Sequence, residues 1–437
     1  MDKPTHSRSA DKVGRVMPPG RMVLPRPGGV VPVAAATRFL QWGILGVIIP
    51  VSNLLRMSKG LGLAELGFSA AITASIVVAL ELPTGVLADR LGRKLTYLAS
   101  LVFQAASCLA LLFSSGFLAV SLGFGLYGIS RALSSGSLEA LLIDRYIDSH
   151  GDGTLHRLMS ATNAADTAGL ALGSIAGGFI PGLWVSIAPA SNRYHGNLLV
   201  MLLLILVLAI LVLVSVSEER SAGQDRAGLG AFMKDSMTFI TKSPALLAFL
   251  AAGIAWGFAF SAIETYWQPR IAGIAGAGGS DRLNGFLSAG YFLAALVGSL
   301  ATLPLLEKTR IRPGMALLAL RLMTAAFVIA LAVQMDAIGF AVLYVAMFFW
   351  NGMASPLETT VLNRALPSDK RASMLSMVSM AMQLGGLIGA VVFGLVVGAA
   401  GIPFAWFVAA AALGASAFLL PIAASGRSYG RGDAADS

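Results

Sequence analysis

Along most of the 437-residue chain, apolar runs of about 20 residues alternate with short polar segments. A helix rises about 1.5 Å per residue, so each run is long enough to cross the hydrocarbon core of a bilayer. The pattern predicts twelve spans, near 34–56, 66–87, 95–114, 117–140, 158–181, 197–216, 245–267, 284–305, 314–333, 337–358, 373–397 and 402–423. No run of short alternating strands occurs, and backbone groups in lipid must be satisfied internally, so the expected fold is an all-α membrane protein. Residues 1–30 and 424–437 have no apolar core and read as tails, the first basic and disordered. The polar, basic stretch 217–244 is the longest internal connection. It divides the spans six and six, into an N-terminal bundle over 31–216 and a C-terminal bundle over 245–423.

Charge gives this layout a direction. Lysines and arginines gather in the two tails, the 217–244 connection and alternate loops, while the intervening loops hold few. The positive-inside rule places both termini in the cytoplasm, and for a bacterial chain the membrane is the inner one. The net charge of +9 is accounted for by those loops, and no polar domain is large enough to bind nucleic acid. Only 12% of residues are charged against 56% hydrophobic, so any ionisable group inside a span stands out. One cysteine, Cys108, excludes a disulfide framework within the chain, and the four histidines fall in tails or loops. No metal site, cofactor motif, catalytic cluster or phosphate-binding loop is present, so the expectation is a non-enzyme that uses no ATP itself.

Between spans two and three stands Gly85-Val86-Leu87-Ala88-Asp89-Arg90-Leu91-Gly92-Arg93-Lys94. It resembles, at every specified position, the loop signature of the Major Facilitator Superfamily. That resemblance implies twelve helices in two six-helix bundles and a latch at the cytoplasmic mouth built by Gly85, Asp89, Arg90, Gly92, Arg93 and Lys94. Gly85 permits close helix approach, Asp89 is suited to a helix N-terminus, which in the family is that of the eleventh helix, near Ser373 here, and Arg90, Arg93 and Lys94 have Asp144 and Asp148 as acid candidates. The halves repeat each other. Ser137-Leu138-Glu139 through Asp144-Arg145 matches Pro356-Leu357-Glu358 through Asn363-Arg364, and Gly169, Gly173 and Gly178 share their spacing with Gly385, Gly389 and Gly394. Such a repeat predicts a central site between two bundles.

Gly169, Gly173, Gly177 and Gly178 also resemble the fifth-helix motif of the family's antiporters, with Ser174 where that motif has proline. The same glycines fit an ordinary small-residue helix interface. Other phrases, Glu81-Leu82-Pro83-Thr84-Gly85 and Tyr266-Trp267-Gln268-Pro269, resemble bacterial drug and small-molecule exporters. At membrane depth, Arg131 and Asp166 both lie about 13 Å inside by helical rise, with Glu81 about two turns inside span two. The three form either a proton switch or a static buried pair. Arg321 and Glu358 are expected to form a structural pair. Glu264 is expected near the outer end of span seven, beside belt aromatics Tyr266 and Trp267.

The family resemblance puts spans one, four, seven and ten around the cavity, where Gln41, Trp42, Tyr127, Trp256, Trp350 and Asn351 are the aromatic and polar candidates. Each is also compatible with plain helix packing. Aromatic walls suit apolar or cationic organic molecules. The expected function is proton-coupled efflux of a small amphipathic or drug-like molecule by alternating access, as in multidrug resistance. The proton gradient supplies the energy, and the expected partners are substrate, protons and lipid, with the protein a monomer. The alternatives are a symporter that takes up a metabolite and a transport-inactive receptor or scaffold.

Overall fold

The computed structural model describes residues 29–218, 243–276, 279–309, 311–366 and 371–425. The tails and most of the predicted 217–244 connection lie outside these residues. All regular structure among the described residues is helical. In chain order the helices are α1 (Val30–Ile48), α2 (Ser52–Ser58), α3 (Leu63–Leu91), α4 (Arg93–Phe113), α5 (Gly116–Ser134), α6 (Ser137–His150), α7 (Leu155–Ile187) and α8 (His195–Ser215). They continue as α9 (Pro244–Ala275), α10 (Ser280–Thr309), α11 (Pro313–Val333), α12 (Ala337–Ala365), α13 (Arg371–Ala417) and α14 (Leu420–Ala423).

Eleven helical stretches among the described residues are long and apolar enough to cross a membrane. A short 3-10 segment, Ile49–Val51, joins α1 to α2 within one such stretch. A second stretch, Gly116–His150, takes in α5 and α6 across Gly136, whose φ of +68° bends the run without ending it. The last stretch, Leu375–Ala423, is 49 residues long, more than twice what one crossing needs. Gly401, at φ +81°, breaks it where any Cβ would be strained. Several helices outrun their predicted spans, notably α3, α7, α9 and α10. Polar residues near their ends continue the helix, and a hydropathy criterion does not register them.

α1 packs on α7 and α8, α3 and α4 pack on α5, and α4 packs on α8. α9 packs on α13, α10 on α12, and α11 on α12 and α13. The two groups join chiefly through α3 with α13 and α7 with α10. The outer faces carry bare apolar side chains: Val102, Phe113, Leu118, Leu203 and Leu206 are all more than half exposed. Such a continuous apolar surface suits lipid tails rather than water.

The helices alternate in direction, so the molecule has two ends. The tail end carries the starts of α1, α4, α7 and α9. The far end carries the α2–α3, α4–α5, α7–α8 and α9–α10 turns. Bonds within the far end agree: Gly116 N–H donates to the Lys59 carbonyl at 2.8 Å, and Asn192 Nδ2 donates to Ser58 Oγ at 2.9 Å.

Candidate functional site

At the tail end, α3 stops at Leu91, and Gly92 at φ +99° turns the chain into α4. The first N–H groups of α4 are free of intrahelical partners, and a carboxylate fills the gap. Glu218, just past α8, accepts from the backbone N–H of Arg93 at 2.6 Å and of Lys94 at 3.1 Å. A Cβ on residue 92 would sit 2.7 Å from Glu218 Oε2, so this glycine makes room for the acid as well as the turn. Glu218 escaped the sequence reading because a single acid after an apolar run has no spacing signal. Arg93 Nη1 also meets Asp144 Oδ2 at 2.6 Å, so Asp144 rather than Asp148 is its acid partner. Lys94 Nζ donates to the Leu213 carbonyl at 3.2 Å, and Arg90 is exposed. The side chain of Asp89 lies outside the described residues, as does that of Ser373. Gly85 departs from expectation. It is exposed and a Cβ there would meet nothing within 4 Å, so no helix approaches it closely.

The far end is different. Asn53 N–H donates to Gln268 Oε1 at 2.9 Å, and Gln268 Nε2 donates to the Ile49 carbonyl at 2.5 Å. Asn53 Nδ2 donates to the Glu264 carbonyl at 3.3 Å. Arg193 and Asp281 form an ion pair, and the Tyr194 hydroxyl donates to Asp281 at 3.2 Å. Burial first, and the Asp281 charge next, push the Tyr194 hydroxyl pKa up, so it stays a donor. These contacts all tie the first group of helices to the second. Glycines permit the approach. A Cβ on residue 178 would lie 2.8 Å from Gly285 Cα, and one on residue 67 would lie 2.7 Å from Gly394 Cα.

The repeated glycines repeat their packing. Cβ atoms on residues 169, 173 and 177 would strike the Phe39, Gly43 and Val47 carbonyl oxygens on α1 at 2.3, 2.4 and 2.4 Å. Those on residues 385 and 389 would strike the Ile254 and Phe258 carbonyl oxygens on α9 at 2.1 and 2.4 Å. The third member of each set, Gly178 or Gly394, faces the other group. Ser174, at the proline position, is fully buried, and the proline within α7 is Pro181.

The interior charges pair differently from the expectation. Asp166 does not meet Arg131. It takes a bidentate grip from Arg38, with Nε to Oδ1 at 2.8 Å and Nη2 to Oδ2 at 2.5 Å, and Arg38 Nη1 reaches Glu139 Oε2 at 3.0 Å. The reason is the α1–α7 glycine seam, which brings these two helices close and sets residue 38 opposite residue 166. Arg131 is exposed, and its charge acts instead on Glu264 of α9. Glu264 is itself exposed, although Ala262, Ile263, Thr265 and Tyr266 around it are buried, so its carboxylate faces the open interior. Tyr266 and Trp267 are 0% and 3% exposed and are not belt residues, because α9 runs on to Ala275. Tyr291 and Tyr344 lie within electrostatic range of the same carboxylate. Glu81 accepts from Gln383 Nε2 at 2.9 Å, a bond between α3 and α13. Arg321 pairs with Glu358 at 2.5 Å, as expected.

Of the six cavity candidates, the structure joins only two. Trp256 Nε1 donates to Asn351 Oδ1 at 3.2 Å, and the Trp256 ring stacks on Phe260 at 4.5 Å. Phe260, Phe348 and Tyr291 extend that aromatic wall and were not anticipated. Trp42 lies under the Arg38 guanidinium at 5.7 Å, Trp350 against Phe349, and Gln41 beside Trp42 on α1. Tyr127 lines a cavity of about 150 Å³ among α1, α2, α3, α4, α5 and α8. Among the described residues, no three His, Cys, Asp or Glu side chains are grouped to hold a metal ion.

Comparison with known proteins agrees with this architecture. The chain is 26% identical over 382 residues to an uncharacterized MFS-type transporter, YxaM, of Bacillus subtilis (strain 168), covering 86% of this chain and 90% of that one. The fold is similar to that of the nucleoside transporter NupG, with a TM-score of 0.72 at 15% identity, over 90% of this chain and 98% of that one. It is also similar to a bacterial homolog of the human lysosomal transporter Spinster in an inward-facing, unoccupied conformation. There the TM-score is 0.66 at 15% identity, over 90% of this chain and 95% of that one. The family model of the Major Facilitator Superfamily matches residues 33–277 and 271–432. The chain is a multi-pass membrane protein that belongs to the Major Facilitator Superfamily of secondary transporters.

Proposed function

We propose that this transporter exports small amphipathic molecules in exchange for protons, by alternating access. One observation carries the reading: Glu264 of the second helix group is exposed among buried neighbours and lies within electrostatic range of Arg131 of the first group, while bonds between the groups close the far end. A pair held within one group, such as Arg38 with Asp166, keeps its geometry when the groups rock. A pair between groups does not. Protonating Glu264 removes its attraction for Arg131, and rocking changes the distance between them, so the two events are linked. Glu81, bonded to Gln383 between α3 and α13, is a second carboxylate of this kind.

In this reading the tail end is cytoplasmic, and the structure is the inward-facing state. Residues 31–216 and 245–423 form the two six-helix bundles, joined by 217–244. The break at Gly401 divides the last apolar stretch into two crossings, giving twelve in all. The protein acts as a monomer in the inner membrane. The aromatic wall of Trp256, Phe260 and Tyr291 receives the apolar part of the substrate. Ser174, in place of the antiporter proline, favours the second reading, uptake by symport, and the fold neighbour NupG is a nucleoside transporter. A protection screen in cells lacking their own exporters tests the choice. Expression should raise tolerance to particular amphipathic compounds, and sensitisation instead of tolerance would point to uptake.

A further inference from the structure

The cavity inside the first helix group contains a charge that the transport reading leaves unused. Arg56 lies on α2, only 8% exposed, and lines this cavity with Gln104, Thr73 and Tyr127. Its guanidinium lies over the Phe124 ring, 3.6 Å from the centroid, and Nη1 donates to Asn53 Oδ1 at 2.6 Å. Its Nε is buried and donates to nothing. Among the described residues no carboxylate pairs with it, whereas Arg38, Arg93, Arg193 and Arg321 each have one.

A buried guanidinium without an anion is costly, and one amide oxygen and one ring face replace only part of its lost hydration. The remaining donors present a planar fork of the kind that matches a carboxylate. The neighbouring Gln104 amide and Tyr127 hydroxyl supply further donors, while the Thr73 hydroxyl already donates to the Ser69 carbonyl at 3.1 Å. A volume of about 150 Å³ accepts a carboxylate and the first atoms it is attached to, but not a whole drug-sized molecule.

We propose that the Arg56 cavity is a carboxylate-binding subsite, and that the transported compounds include amphipathic molecules whose anionic end docks there. This rests on the transport reading and narrows its substrate class. It also links occupancy to the far-end seal. The Asn53 side chain that accepts from Arg56 is the one whose Nδ2 reaches the Glu264 carbonyl, so a carboxylate that takes over Arg56 releases Asn53.

The test uses the full chain in phosphatidylcholine nanodiscs, which contain no anionic headgroup, with benzoate, benzamide and benzylamine as probes. Thermal melting is read for each. Methylthiolation of Cys108, the single cysteine and a residue lining the same cavity, is followed with methyl methanethiosulfonate, which forms a mixed disulfide and releases methanesulfinate. Benzoate alone should raise the melting temperature and slow Cys108 modification at least threefold. Arg56→Gln should lose both effects, and Arg56→Lys should keep the preference for benzoate over benzamide with weaker binding. The proposal fails if the wild type treats benzoate and benzamide alike, or if Arg56→Gln retains the benzoate effect. The first criterion needs no variant, so it holds even if Arg56→Gln does not fold. Failure here with gradient-driven export of other compounds intact would remove the anionic subsite alone. Loss of all export would remove the transport reading with it.

Discussion

Arg321 and Glu358 show what a single buried pair contributes. Arg321 is 4% exposed and Glu358 about a quarter exposed, so removing the acid leaves a nearly buried cation. Glu358→Ala should destabilise the protein by roughly 3 kcal/mol, while replacing both partners with Met and Leu should recover most of that loss. Thermal melts of the wild type and the two variants in detergent check this, and equal melting temperatures would show that the pair contributes nothing. The pair was legible because both residues stand alone in long apolar runs. Arg38 was not singled out: it stands four residues inside the first predicted span, and no spacing signal ties it to residue 166 on another helix. Glu264 was placed near an interface because Tyr266 and Trp267 follow it. Only the continuation of α9 to Ala275 shows that these aromatics are interior. Linear position does not tell an interfacial aromatic from a buried one.

At the scale of helices, the glycine seams were read correctly as close contacts, but the sequence alone did not say which helix each would touch. The repeat holds the answer, since two glycines of each set pack within their own group and the third faces the other group. Substitutions should therefore differ by position. Gly173→Leu would drive a side chain into the Gly43 backbone and should prevent stable folding, read as loss of the monodisperse peak on size exclusion. Gly178→Val should fold, because the clash with Gly285 is relieved when the groups separate at the far end. In a Cys108→Ser background with Asn53→Cys, the Gly178→Val protein should react faster with a membrane-impermeant maleimide added from outside. Unchanged labelling would mean that the α7–α10 contact does not hold the far end shut. Gly85 was read as a close-contact residue from the loop motif, yet it stands in open space. A sequence motif records every state of a cycle, whereas this structure is one state, in which nothing lies within 4 Å of a Cβ on residue 85. Asp89→Asn should keep expression and folding while cutting transport strongly; normal transport at normal expression would show the latch to be dispensable.

For the whole molecule, the apolar runs made the helical class and most of the spans legible, and the charge bias supplies an orientation to test. The assignment of both termini to the cytoplasm is tested by reporter fusions after Arg220 and at Ser437, which should read cytoplasmic, with one near Asn192 external. What the sequence could not supply is which charges face each other between the helix groups, since that depends on three-dimensional closure. The central claim is that protons and substrate move in opposite directions through a cycle coupled at Glu264. The most direct measurement is flux in proteoliposomes of a compound found by the protection screen, with a pH gradient imposed in either direction. Wild type should drive the compound against its own gradient and opposite to the protons. Glu264→Gln should lose this response while retaining substrate exchange, and Asp166→Asn, held within one group by Arg38, should keep it. Movement of compound and protons in the same direction, or full gradient-driven transport by Glu264→Gln, would contradict the account.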